Sequence, residues 1–72
     1  MNYDLVDLGT GNLVGSYTSE IDALRDVAKS ARLSGAEAVL MLALVTDEPP
    51  HGRLIADGRD LLTLAENAAV AG

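Results

Sequence analysis

The sequence predicts an α+β protein: a two-layer sandwich in which a four-stranded, mainly antiparallel sheet (ββαββα) carries two helices on one face. Three observations predict it. Two pairs of short β-prone stretches are each broken by glycine-containing turns, each pair is followed by apolar residues at three- and four-residue spacing, and the 72 residues include no cysteine.

The first pair is Tyr3 to Leu8 and Leu13 to Tyr17, separated by Gly9-Thr10-Gly11-Asn12. A three-residue loop over Gly9, Thr10 and Gly11, with Gly11 left-handed, pairs Leu8 with Asn12 and Val6 with Val14. Tyr3, Leu5, Leu13 and Tyr17 then share the other face. Both faces of this ribbon are partly apolar, so one is expected to cover a helix and the other to meet something outside the monomer.

Thr18 or Ser19 caps the first helix, with Glu20 and Asp22 in its first turn, where acid complements the helix dipole. Ile21, Leu24, Val27, Ala28 and Ala31 give it an apolar stripe, and Ser34-Gly35 ends it. The run Ala38 to Val45 is apolar at every position, so period does not choose between strand and helix. Its short length, the valines near both ends and the Thr46-Asp47-Glu48-Pro49-Pro50 that follows favour a central strand covered on both faces. Pro49-Pro50-His51-Gly52 breaks the chain, and Arg53 to Ala56 forms the returning strand. Asp57-Gly58 opens a second helix with Leu61, Leu62, Leu64, Ala65, Ala68 and Ala69 on its apolar side, and Ala71-Gly72 is expected to fray. Shifting the chain by about 38 residues lays Asp22, Ala23 and Leu24 over Asp60, Leu61 and Leu62, and Val27 over Ala65, the trace of an internal repeat.

The stretch Asp7-x-x-Thr10-Gly11-Asn12-Leu13-Val14-Gly15-Ser16-Tyr17, the helix after it, and Ile55-Ala56-Asp57-Gly58 leading into Leu61-Leu62 resemble a group of short bacterial proteins with the same strand-strand-helix-strand-strand-helix pattern. The resemblance spans most of the chain. Its motifs are turn and core features, and it implies no particular function.

Composition narrows the function. Residues 1–72 make a single domain, because domains rarely fall below roughly 50 residues. With 49% hydrophobic against 22% charged residues the chain is too apolar to stay disordered. So small a domain is marginal on its own, which leads to the expectation of a homodimer. Eleven acids against five bases give a net charge of −6, which phosphate backbones and anionic lipid surfaces repel. A basic protein is the alternative partner. Asp4 and Asp7 interrupt any apolar leader, and no apolar run nears the roughly 20 residues of a membrane helix, so a cytoplasmic protein is expected.

No catalytic, cofactor-binding or metal-ligating residue is expected. Gly9, Gly11 and Gly15 read as hairpin geometry rather than a phosphate loop, since no helix opens directly after them. Asp47, Glu48 and His51 are close in sequence, but the chain offers no second strong nitrogen or sulfur ligand for a transition metal. Arg25, Lys29 and Arg32 form a strip beside the apolar stripe, which could meet an acidic partner but is read as Asp22 and Asp26 pairing with Arg25 and Lys29 at i,i+3 while the long stems cover the edge of the core. Asp57 and Asp60 read as helix cap and first-turn acid, and no hydroxyl has triad spacing around it. The functional expectation is a small acidic, non-enzymatic interaction protein, a homodimer through an apolar outer face around Met41, Ala43, Val45 and the first hairpin. The alternative is an acidic neutraliser of a basic partner, antitoxin-like or a nucleic-acid mimic. A ligand carrier or enzyme built at a dimer interface would use a deep pocket lined by Tyr3, Tyr17 or His51.

Overall fold

A computed structural model describes residues 2–47 and 52–71. Along the chain come β1 (Tyr3–Asp7), β2 (Leu13–Tyr17), α1 (Glu20–Ser34), a 3₁₀ turn (Ala36–Ala38), β3 (Leu42–Thr46), β4 (Arg53–Asp57) and α2 (Gly58–Ala71). The strands lie side by side as β2-β1-β3-β4, and every pairing is antiparallel. α1 packs over β1 and β2, α2 packs over β3 and β4, and the helices pack against each other, so the α+β two-layer arrangement is realised with both helices on one face. Between the layers Leu5 and Leu44, directly paired across the central strands, meet Ala23, Val27, Leu61 and Ala65. Burying each such leucine contributes about 1.5–3 kcal/mol.

The first hairpin departs from its expected register for a local reason. Tyr3 pairs with Tyr17 and Leu5 with Gly15 as alternation requires, but Val6 then pairs with Leu13, leaving Val14 as the extra residue of a bulge. One inserted residue moves Leu13 off the face of Tyr3, Leu5 and Tyr17, and it stands 61% exposed on the other. The loop is also longer than three residues. The Asp7 carboxylate accepts the backbone N–H of Gly9 at 2.8 Å and of Thr10 at 3.3 Å, which winds the chain back so that Gly11 N–H reaches the Asp7 carbonyl at 2.7 Å. Leu8, expected to pair with Asn12, instead donates its N–H to the Met41 carbonyl at 2.7 Å.

α1 begins as expected: the Ser19 hydroxyl accepts the N–H of Asp22 at 3.2 Å. It ends at Gly35, whose N–H returns to the Ala31 carbonyl at 2.9 Å. Its inward stripe keeps Leu24, Val27, Ala28 and Ala31 of the expected one and exchanges Ile21 for Ala23. Ala23, Leu24 and Val27 are buried while Ile21 is exposed. In α2, Leu61, Ala65 and Ala68 are buried, whereas Leu64 and Ala69 of the expected apolar side are exposed.

The apolar run Ala38 to Val45 is not one strand. After Gly35 the backbone makes i to i+3 bonds, from Ala38 N–H to the Gly35 carbonyl through Leu42 N–H to the Val39 carbonyl, and β3 starts only at Leu42. Val39 plugs the core, while Leu40 and Met41 face outward. β3 is central, as expected, but its second face carries no covering layer. β4 extends one residue further than expected, to Asp57. Glu48, Pro49, Pro50, His51 and Gly72 lie outside the described residues, as does the expected fraying at the last of these.

The two halves repeat one strand-strand-helix pattern on either side of the antiparallel Leu5–Leu44 pair. Each inner strand slips register at the same place, between Leu5 and Val6 and between Leu44 and Val45. Gly15 and Leu13 opposite the first slip correspond to Ala56 and Leu54 opposite the second. Gly11 and Gly52, with φ of 76° and 79°, each stand two residues before the leucine opposite the slip, Leu13 and Leu54. Ala23 and Val27 correspond to Leu61 and Ala65, all 0% exposed. The repeat glimpsed in the helices therefore extends through the whole ββα unit, and a shared Gly-x-Leu-(Val/Ile)-(Gly/Ala) segment carries its clearest trace.

Candidate functional site

Alternation puts Leu5 and Leu44 against the helices and their neighbours Asp4, Val6, Ala43 and Val45 on the uncovered side, and the register slips that skip Val14 and Ile55 bring Leu13 and Leu54, paired with Val6 and Val45, to that side as well. Pairing arranges those neighbours in two rows. One reads Ser16, Asp4, Val45, Leu54, and the other Leu13, Val6, Ala43, Asp57. Leu13 and Leu54 occupy opposite corners and are 61% and 53% exposed, with Val6 and Val45 between them as diagonal neighbours. An apolar diagonal thus crosses all four strands. Val14 at the bulge and Leu8 and Met41 beside the hairpin loop add exposed apolar surface at that end of the sheet. Of the outer face expected around Met41, Ala43, Val45 and the first hairpin, Met41 belongs to the turn before β3, Val45 stands half-buried in its row, and Ala43, though in its row, is only 3% exposed and offers no surface.

Charge on this face has one sign. Asp4 stands on one side of the diagonal and Asp57 on the other, and the Ser16 hydroxyl donates to Asp4 at 2.9 Å. The chain's five bases lie elsewhere. Arg25, Lys29 and Arg32 are on α1, Arg59 is on α2, and Arg53 pairs with Thr46, which is buried on the helix side. Asp57 is the last residue of β4, directed to the open face, and Asp60 sits in the first turn of α2.

A second cluster joins β2 to α1. Tyr17 lies across Gly15 on the helix side, where a Cβ would come within 2.7 Å of the phenol oxygen. The hydroxyl donates to Asp26. Burial first, then that hydrogen bond and the carboxylate's charge, push the Tyr17 phenol up to about 12 from 10.0. Asp26 therefore serves Tyr17 rather than Lys29. Gly15 is explained by ring packing and Gly11 by its turn, so neither needs a phosphate to account for it.

Between the helices opens a shallow cleft of about 460 Å³, lined by Ala28, Ala31, Ala36 and Ala69 and by Arg32 and Glu66. Neither Tyr3 nor Tyr17, expected to line a ligand pocket, borders it. Among the described residues, no three His, Cys, Asp or Glu side chains gather to hold a metal, and no helix is long and apolar enough to cross a membrane. Of Asp47, Glu48 and His51, from which no metal site is expected, only Asp47 is described; its carboxylate accepts the Asn2 N–H at 2.7 Å. Sequence reasoning missed that Asp4 and Asp57 flank one diagonal, because the two bulges that decide it have no compositional mark. Comparison with protein-family models, with curated proteins and with solved structures finds no match.

Proposed function

We propose that the protein is a non-enzymatic interaction module that docks a polypeptide on the open face of its sheet. The observation that supports this reading is the diagonal of Leu13, Val6, Val45 and Leu54 on a face no helix covers. Contiguous apolar patches on small proteins mark interaction sites, and a domain of this size gains most from covering one. A second copy of the chain is the simplest occupant, making a homodimer of stacked sheets.

A basic protein is the other occupant, the neutraliser reading, and a specific observation favours it: Asp4 and Asp57 flank the diagonal with no base in either row. Stacking two copies places these acids against the same acids. Self-association through this face therefore tightens as salt screens them. Sedimentation equilibrium across protein and salt concentration tests this, with Leu13→Ser/Leu54→Ser as the variant that removes the diagonal. The expected result is a wild-type dimer that strengthens with salt and a monomeric variant. A wild type that stays monomeric at micromolar concentration in every salt removes the homodimer, and a dimer unchanged in the variant removes this face as its interface.

A further inference from the structure

We infer that the open face is built to seat a short amphipathic helix with cations on both sides of its apolar stripe. The inference rests on the docking reading above and names the occupant. With strands about 4.8 Å apart and about 6.8 Å between alternate residues, the diagonal from Leu13 to Leu54 spans roughly 16 Å, close to three helical turns. The sheet is about 14 Å from first to last strand axis, enough for one helix and too little for two side by side. A helix laid along the diagonal sets its apolar stripe on Leu13, Val6, Val45 and Leu54. Its flanks then pass over Asp4 on one side and Asp57 on the other, the positions that call for lysine or arginine. The chain's own α1 does not supply such a helix, because its apolar stripe is buried in the core. Charge complementarity makes such a helix a tighter occupant at low salt than a second copy, whose matching face brings acids to acids and docks well only when salt screens them.

The test is fluorescence anisotropy with three synthetic peptides of about fourteen residues: a leucine-striped helix flanked by lysines, the same helix flanked by glutamates, and a scramble of the lysine peptide. The lysine-flanked helix is expected to bind, and the other two are not. Asp4→Asn/Asp57→Asn is expected to weaken it about tenfold at low salt, and Leu13→Ser/Leu54→Ser by at least about a hundredfold. Equal binding of the glutamate-flanked helix overturns the cationic occupant while leaving the docking face standing. Equal binding of the scramble reduces the contact to bulk charge and overturns the helix. Binding unaffected by the leucine substitutions places the contact elsewhere and overturns both readings. No binding of the lysine helix overturns the inference alone if the wild type still dimerises through Leu13 and Leu54. The peptide substitutions need no change in the protein, so the test survives a variant that fails to fold.

Discussion

At the scale of single residues the tightest arrangement is Gly15, Tyr17 and Asp26. The phenol is held neutral by burial and by a carboxylate acceptor, and the space for its ring exists because residue 15 has no side chain. In the unfolded chain this phenol ionises near 10 and in the fold near 12, so its contribution is intact below pH 10 and is lost as pH rises toward 12. Phenolate absorbance in a Tyr3→Phe background is expected to show the high titration. Asp26→Asn lowers it toward, but not to, the ordinary value, because burial is the larger cause. That Tyr17 shares a face with Tyr3 and Leu5 is legible from alternation, while which face of the ribbon meets the helix is not. Its tie to Asp26 was not legible, since the i,i+3 rule offered Asp26 a nearer partner in Lys29 and carries no information about a strand packed alongside.

Elements whose limits are set by side-chain chemistry were the readable ones. Ser19 and Gly35 bound α1 because a hydroxyl acceptor and a left-handed residue satisfy groups that every helix end leaves open. The 38–45 run failed because a stretch apolar throughout has no period to read, and a strand start at Leu42 follows only from hydrogen bonds begun at Gly35. Bulges hide in the same way, and they decide which residues meet the outside. The two hairpins provide a paired test. Gly11 and Gly52 are both left-handed, but a Cβ at Gly11 meets nothing within 4 Å, whereas one at Gly52 lies 2.8 Å from the Thr46 carbonyl oxygen. Gly11→Ala should cost about 1 kcal/mol from backbone strain alone. Gly52→Ala should cost more, about 2–3 kcal/mol, and loosen the β3–β4 pairing. Urea denaturation of the two variants measures the difference.

For the whole molecule, the core lies on the helix side of the sheet, and the docking proposed above lies on the other. Leu44→Ala empties the centre of the core at a cost of about 2–5 kcal/mol, most of what a domain this small possesses, and the variant is expected to be largely unfolded by circular dichroism. Leu54→Ser, on the open face, should leave the urea midpoint within about 0.5 kcal/mol of wild type while weakening docking. The layered plan and the element order were readable from composition and turn spacing, because small apolar chains have few ways to cover a sheet. The pairing of β1 with β3 was not, since either edge of each hairpin could have met the other. That central pairing joins residues far apart in sequence, whereas each hairpin closes over a short loop. It therefore sets the folding kinetics: each ββα half can form early from local contacts, and the slow step is their docking across Leu5 and Leu44. Core substitutions at these two leucines should then slow folding alike, as twin positions of one nucleus.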